Sequence, residues 1–181
     1  MTDFLRIALV FLFAVNPALV ANALRDRTVP FGQAGLGAAA AIALYLLLAV
    51  GAGGILDALE IEDETAKVAT GALLAVGGAL AIASAGREFR DLWSEQWAGL
   101  FPLALPLLVS PAGVVAAISF SANDGIGEAL GAAVIAVAVA AAAGAITLGR
   151  YWVVADAVAR ISGAVLVLLA AGLIVDGVKS V

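Results

Sequence analysis

Six stretches, residues 4–24, 35–56, 65–86, 101–120, 127–148 and 154–175, each run for roughly twenty apolar residues, the length that crosses a hydrocarbon core of about 30 Å as a helix. That pattern decides the solvent before any motif is read. The chain of 181 residues is 64% hydrophobic and only 13% charged, with a mean hydropathy of +1.13. A soluble domain carries about twice that charge. In lipid every backbone polar group needs an internal partner, so the spans are helices; a barrel would need strands of alternating polarity. The expected fold is an all-α polytopic membrane protein of six transmembrane helices, one membrane domain over residues 1–181. The first run could imitate a signal peptide, but Asp3 and Arg6 make a poor basic leader and "ANALRDR" a weak cleavage site, so it is read as the first span.

Charge placement gives an orientation. Arg25 and Arg27, Arg87 and Arg90, and Arg150 and Arg160 fall in or beside the three odd connections. The opposite side has Arg6, Lys67 and Lys179 and the acidic stretch "LDALEIEDETAK". Six basic residues against three place the odd loops in the cytoplasm and both termini outside a cell membrane. The chain has no cysteine and no histidine, which removes disulfides, thiol chemistry and the usual zinc sites. A net charge of −5, drawn mostly from one loop, offers nothing to nucleic acid.

An internal repeat divides the chain. "TGALLAVGGALAI" (70–82) aligns with "SGAVLVLLAAGLI" (162–174) at an offset of 92, and "VNPALV" (15–20) with "VSPAGV" (109–114) at an offset of 94. Either match alone means little in so repetitive a composition, but the shared spacing links the first and third helices of two halves, about 1–90 and about 95–181. Three spans per half force the second half into the membrane upside down. The expectation is a 3+3 inverted-topology repeat, an architecture of secondary transporters with a midplane site where interrupted helices meet.

The interruptions are Asn16-Pro17 in "FAVNPALVANAL" and Ser110-Pro111 in "PLLVSPAGVVAA". Proline lacks an N–H and clashes with the carbonyl four residues back, here that of Phe13 or Leu107. Asn and Ser are favoured N-caps and proline is favoured at the first helical position, so each pair reads as a fresh helix start inside helices 1 and 4. Such starts carry unpaired N–H groups and partial positive charge, suited to an anionic group such as a carboxylate. Candidate substrate-binding residues are Asn16, Pro17, Ala18, Ser110, Pro111, Ala112 and Gly113; the small neighbours leave room for a small ligand. The plain alternative is a pair of proline kinks that only shape the bundle.

The same residues carry a resemblance. The chain resembles the MarC family of six-span bacterial and archaeal membrane proteins at "FAVNPALVANAL", at "FPLALPLLVSPAG" and in the style of "VARISGAVLVLLAAGLIVDGV". The family's Gly-Pro-Gly reads Ser110-Pro111-Ala112 here, and its paired glycines in helix 3 read Thr70-Gly71. The resemblance implies transport of small neutral amino acids.

Other residues are read as structural. Asp176, within about a turn of the outer interface, can reach water there; as a functional group it would couple a proton or cation to transport. Arg160 and Lys67 can snorkel, Asn123 and Asp124 make a turn, and Trp93, Trp97 and Trp152 sit as interfacial anchors. Gly77, Gly78 and Gly172 are expected to permit close helix packing. With one marginal intramembrane acid, no catalytic set forms: no enzyme, cofactor or metal site is expected. The expected partners are a small-molecule substrate and the bilayer, with room for a homo-oligomer. A secondary transporter of small neutral amino acids leads; a channel and a non-transporting scaffold are the alternatives.

Overall fold

The computed structural model describes residues 2–24, 30–84, 99–145 and 152–180. The loop arginines 25, 27, 87, 90 and 150, Trp93 and Trp97, and the side chain of Trp152 lie outside the described residues. The described elements are helices throughout. These are α1 (Thr2–Val15), α2 (Pro17–Ala23), α3 (Phe31–Ala58), α4 (Asp63–Ser84), a wound segment Gly99–Leu108, α5 (Pro111–Asn123), α6 (Ile126–Ala145) and α7 (Trp152–Ser180). Five stretches among them are long and apolar enough to cross a membrane, the first being Asp3–Asn22; Pro111–Asn123 is a shorter apolar helix.

The helices are amphipathic in size rather than polarity. On α3 the buried positions are Ala34, Gly37, Ala41, Tyr45, Ala49, Ala52 and Leu56, spaced three or four apart, while Leu46, Leu47 and Val50 are exposed. Lipid is as apolar as leucine, so what pays inside is small residues that let backbones approach. The same rule joins α4 to α7, the most extensive contact in the bundle. A Cβ at Gly71 would stand 2.8 Å from the Ala170 carbonyl oxygen and 3.2 Å from the Ile174 nitrogen. One at Gly163 would stand 2.6 Å from the Gly78 carbonyl oxygen and 3.1 Å from the Ile82 nitrogen. Gly78 therefore packs as expected, but Gly172 does not: open space lies over its Cα, on the outer face of α7.

The fourth apolar run is not one spanning helix. Phe101 (φ −139°, ψ 120°) and Leu105 (φ −123°, ψ 124°) are extended, and each precedes a proline, whose Cδ disfavours helical geometry one residue back. The Leu105–Pro106 peptide is cis. Helix proper resumes at Pro111 and lasts 13 residues, about 20 Å, short of a full crossing. It stops at the expected turn: Gly125 takes φ 114°, open only to glycine, and Asn123 Nδ2 donates to the Ser119 carbonyl at 2.9 Å.

α3 packs on the wound segment, α5 and α6, and α6 packs on α1 and α2. The core lies among them. Phe11 meets the ring of Tyr45 edge to face at 5.7 Å and that of Phe120 tilted at 6.3 Å. Buried alanines of α6 (Ala129, Ala132, Ala133, Ala136, Ala140) bring its backbone close to α1 and α3.

Candidate functional site

Asn16 separates α1 from α2 and is 2% exposed. Its backbone is left-handed (φ 49°, ψ 82°), a region that asparagine tolerates better than other side chains with a Cβ. Its Oδ1 accepts from the Leu19 N–H at 3.1 Å, capping α2, and its Nδ2 donates to the Ala159 carbonyl of α7, also at 3.1 Å. Pro17 follows at the first helical turn.

Ser110 repeats the cap from an extended backbone (φ −79°, ψ 154°). Its Oγ accepts from the Gly113 N–H at 3.0 Å, with Pro111 in the first turn of α5. The same hydroxyl donates to the Ala14 carbonyl at 3.3 Å. One side chain thus ties the second proline dipeptide to the end of α1, just before the first.

Beside that meeting lies a cavity of about 280 Å³. Asn16, Ser110, Pro111 and Ala112 line it; of the other candidates, Pro17, Ala18 and Gly113 do not. Gly113 instead lies under the Tyr45 hydroxyl, which a Cβ at that position would strike. The remaining walls come from Phe13–Val15, Leu19, Pro106, Leu107 and Leu166, and from Leu73, Val76, Gly77, Leu80 and Ala81 of α4. Gly77, expected to serve packing, borders the cavity opposite Ala112: a Cβ there would meet that of Ala112 at 3.5 Å.

The hydrogen-bond inventory is narrower than two open helix starts would give. Each cap already occupies one N–H, that of Leu19 or Gly113, and proline supplies none at the first position. One second-position amide is left at each start, at Ala18 and Ala112. Against these stand the carbonyl of Phe13, whose helical donor is replaced by Pro17, and that of Leu107, which has no helical donor because the wound segment ends at Leu108 and the chain is extended at Ser110. Of these groups, those of Ala112, Phe13 and Leu107 belong to residues that line the cavity and that of Ala18 does not, and no charged side chain lines it.

Asp176 is elsewhere. It pairs with Arg6 of α1 at 3.1 Å, both side chains well exposed (56% and 41%), and does not line the cavity. Arg160 does more than snorkel. It pairs with Asp156 one turn earlier at 2.8 Å and donates to the Ile82 and Ala83 carbonyls in the last turn of α4, where helix carbonyls lack partners. Among the described residues no cluster of acidic side chains could hold a metal.

Two contributors escaped the sequence reading. Tyr45, 1% exposed, donates to the Leu108 carbonyl at 3.0 Å and so fixes the chain just before Ser110. A lone tyrosine inside "ALYLLLAV" was the available signal, since a buried phenol needs a partner. Thr70 bonds its hydroxyl to the Ala66 carbonyl at 2.7 Å and lies 3.4 Å from that of Val115, joining α4 to α5.

Neither the curated proteins nor the solved structures yield a match to this chain. A family model described as MarC family integral membrane protein matches residues 33–181. The match takes in Ser110-Pro111, Tyr45 and the α4 and α7 helices, and begins after Asn16-Pro17. With most of its length so matched, and with apolar helices that pack small residue on small residue, the chain belongs to the MarC family of integral membrane proteins.

Proposed function

We propose that this chain is a membrane transport protein, a secondary transporter of small neutral amino acids or similar small metabolites, not an enzyme. The observation that carries the reading is the cavity at the junction of the two capped helix starts. Its volume, about 280 Å³, sits at the lower edge of the range of small-molecule sites, about 300–1,000 Å³. Its polar inventory suits a solute that is neutral overall yet carries both a donor and an acceptor, as a zwitterionic amino acid does. The carboxylate would take the spare amide of Ala112 and the ammonium the carbonyls of Phe13 and Leu107. This replaces the simpler picture of an anion held at two positive helix ends.

The inverted repeat belongs to the same proposal, and the α4–α7 contact supports it. Moving both partners of the Gly71 contact by 92 residues within the repeat turns Gly71 into Gly163 and exchanges Ala170 and Ile174 for Gly78 and Ile82. The carbonyl and amide contacts seen at Gly71 recur at Gly163, as a two-fold axis between the halves would require. The second helix of each half, α3 or α6, likewise packs on the interrupted helix of the other. The basic bias of the odd loops supports cytoplasmic loops and external termini in a cell membrane.

Uptake into vesicles tests the reading. Purified protein in proteoliposomes should give saturable alanine uptake that glycine competes away. Pro17→Ala and Pro111→Ala each restore a backbone N–H at a helix start, and at Pro17 this lets the upstream helix α1 run on. Both variants should stay folded, since each proline stands at a first helical position where alanine also fits, while solute affinity falls. Folded variants with unchanged affinity would remove the site from the helix starts.

A further inference from the structure

We propose that the cavity is open to the bilayer interior and takes a neutral alkyl amphiphile with one hydrogen-bond donor, an aliphatic alcohol being the type case, directly from the membrane. This rests on the site assigned above but not on transport. The argument begins with depth. The wall on the α4 side is made by Leu73, Val76 and Leu80, and these side chains are 39%, 57% and 57% exposed, so they form both the cavity wall and the outer surface. Leu73 and Val76 stand at the middle of the 22-residue helix Asp63–Ser84. At 1.5 Å per residue they fall within about 5 Å of its midpoint, well inside a hydrocarbon core of about 30 Å. A mouth at that depth faces acyl chains, not water.

What can use such a mouth follows from partition. A charged solute is excluded from that depth, and a zwitterion nearly so, whereas an alkyl chain with a single hydroxyl dissolves there. Within the cavity the alkyl part meets Leu73, Val76, Leu80, Leu107 and Leu166, and no charged residue is present. The hydroxyl meets the end of the cavity lined by Phe13 and Leu107, whose carbonyls lack helical donors, the first because Pro17 has no N–H and the second because the chain is extended at Ser110. A lone donor is what such acceptors lack. Gly77 keeps the mouth clear: it borders the cavity between Val76 and Ala112, and a long side chain there would fill the space.

A photoreactive octanol carrying a diazirine tests this on the full chain in phosphatidylcholine vesicles, with adducts mapped by mass spectrometry. Adducts should concentrate on Leu73, Val76, Leu80 and Phe13, saturate with concentration, and be displaced by plain octanol. Gly77→Leu should cut them at least fivefold, and Val76→Trp, which narrows the mouth from the lipid side, should do the same if Gly77→Leu fails to fold. Val50→Trp, on the exposed face of α3 and away from the cavity, should leave them unchanged. Adducts spread evenly over Leu47, Val50 and Val139, not saturating and indifferent to both variants, would overturn the proposal. So would cavity labelling by a diazirine-tailed phospholipid that octanol does not displace, because the occupant would then be a lipid tail. Alanine uptake separates the two readings: labelling without uptake removes transport and leaves the amphiphile site, and uptake with scattered labelling does the reverse.

Discussion

The two helix starts use the same three parts, a polar cap, a proline and a side-chain oxygen bonded to the N–H three residues on, yet the chain enters them differently. At Asn16 it arrives from an intact helix, since the Asn16 N–H still bonds the Leu12 carbonyl at 2.9 Å, and it turns through a left-handed residue. At Ser110 it arrives from Gly99–Leu108, which two pre-proline residues keep from being regular helix, and it enters extended. The first start is held from outside by the Asn16–Ala159 bond; the second is roofed by Tyr45. Beyond its cap, each start thus has a further support suited to how the chain reaches it.

Substitutions can break or sharpen this contrast. The largest difference is expected between the caps. Each alanine variant loses a cap, about 1 kcal/mol, and one further bond, Asn16 to Ala159 or Ser110 to Ala14, but only Asn16→Ala also forces alanine into a left-handed backbone, for about 1–2 kcal/mol more. Thermal unfolding in detergent should therefore separate the two variants, and Asn16→Gly should recover most of the backbone part. Equal losses would mean that the left-handed turn relaxes freely and the starts are equivalent. A somewhat smaller effect is expected at Gly113, whose repeat equivalent is Leu19. A methyl group there strikes the Tyr45 hydroxyl and should cost about 1–3 kcal/mol by overpacking. In a Tyr45→Phe background, with the oxygen gone, the added cost of Gly113→Ala should shrink; an unchanged cost would show that Tyr45 does not form the roof. The smallest effect is expected at the ion pair that ties α1 to α7. Asp176→Asn should change stability by under about 1 kcal/mol, because both side chains are well exposed, and should leave solute binding in place. Loss of proton-driven uptake with binding intact would make Asp176 a coupling group after all.

Much of the fold was legible because lipid imposes a strict code. Runs of apolar residues gave α3, α4, α6 and α7, and α3 and α7 outrun theirs by a few residues at each end, where polar residues are welcome at the interface. The fourth run misled. Hydropathy sees Pro102 and Pro106 as tolerable, but each proline acts on the residue before it, and two in five residues dissolve the helix upstream of Ser110. Of the site, the caps were legible since Asn-Pro and Ser-Pro are local signals. The left-handed turn was not, because asparagine caps from either backbone region. Neither was the α4 wall, because Leu73, Val76 and Leu80 look like any lipid-facing leucine or valine until another element comes to lie against them.

The seam between α4 and α7 repeats every seven residues: Gly71 and Gly78 on one side, Gly163, Ala170 and Gly177 on the other. Seven-residue spacing drifts only about 20° per two turns on a straight helix, so the stripe stays on the face that meets its partner, and sustained further it would favour left-handed coiling, as in a rope. A pair in backbone contact resists lengthwise slippage, because each small residue would have to pass a carbonyl of the opposing helix. The pair is thus the keel of the molecule. Any rearrangement that widens the cavity falls to what surrounds it: to the short α2, to the irregular stretch before Ser110, and to the hydroxyl bond from Ser110 to the end of α1.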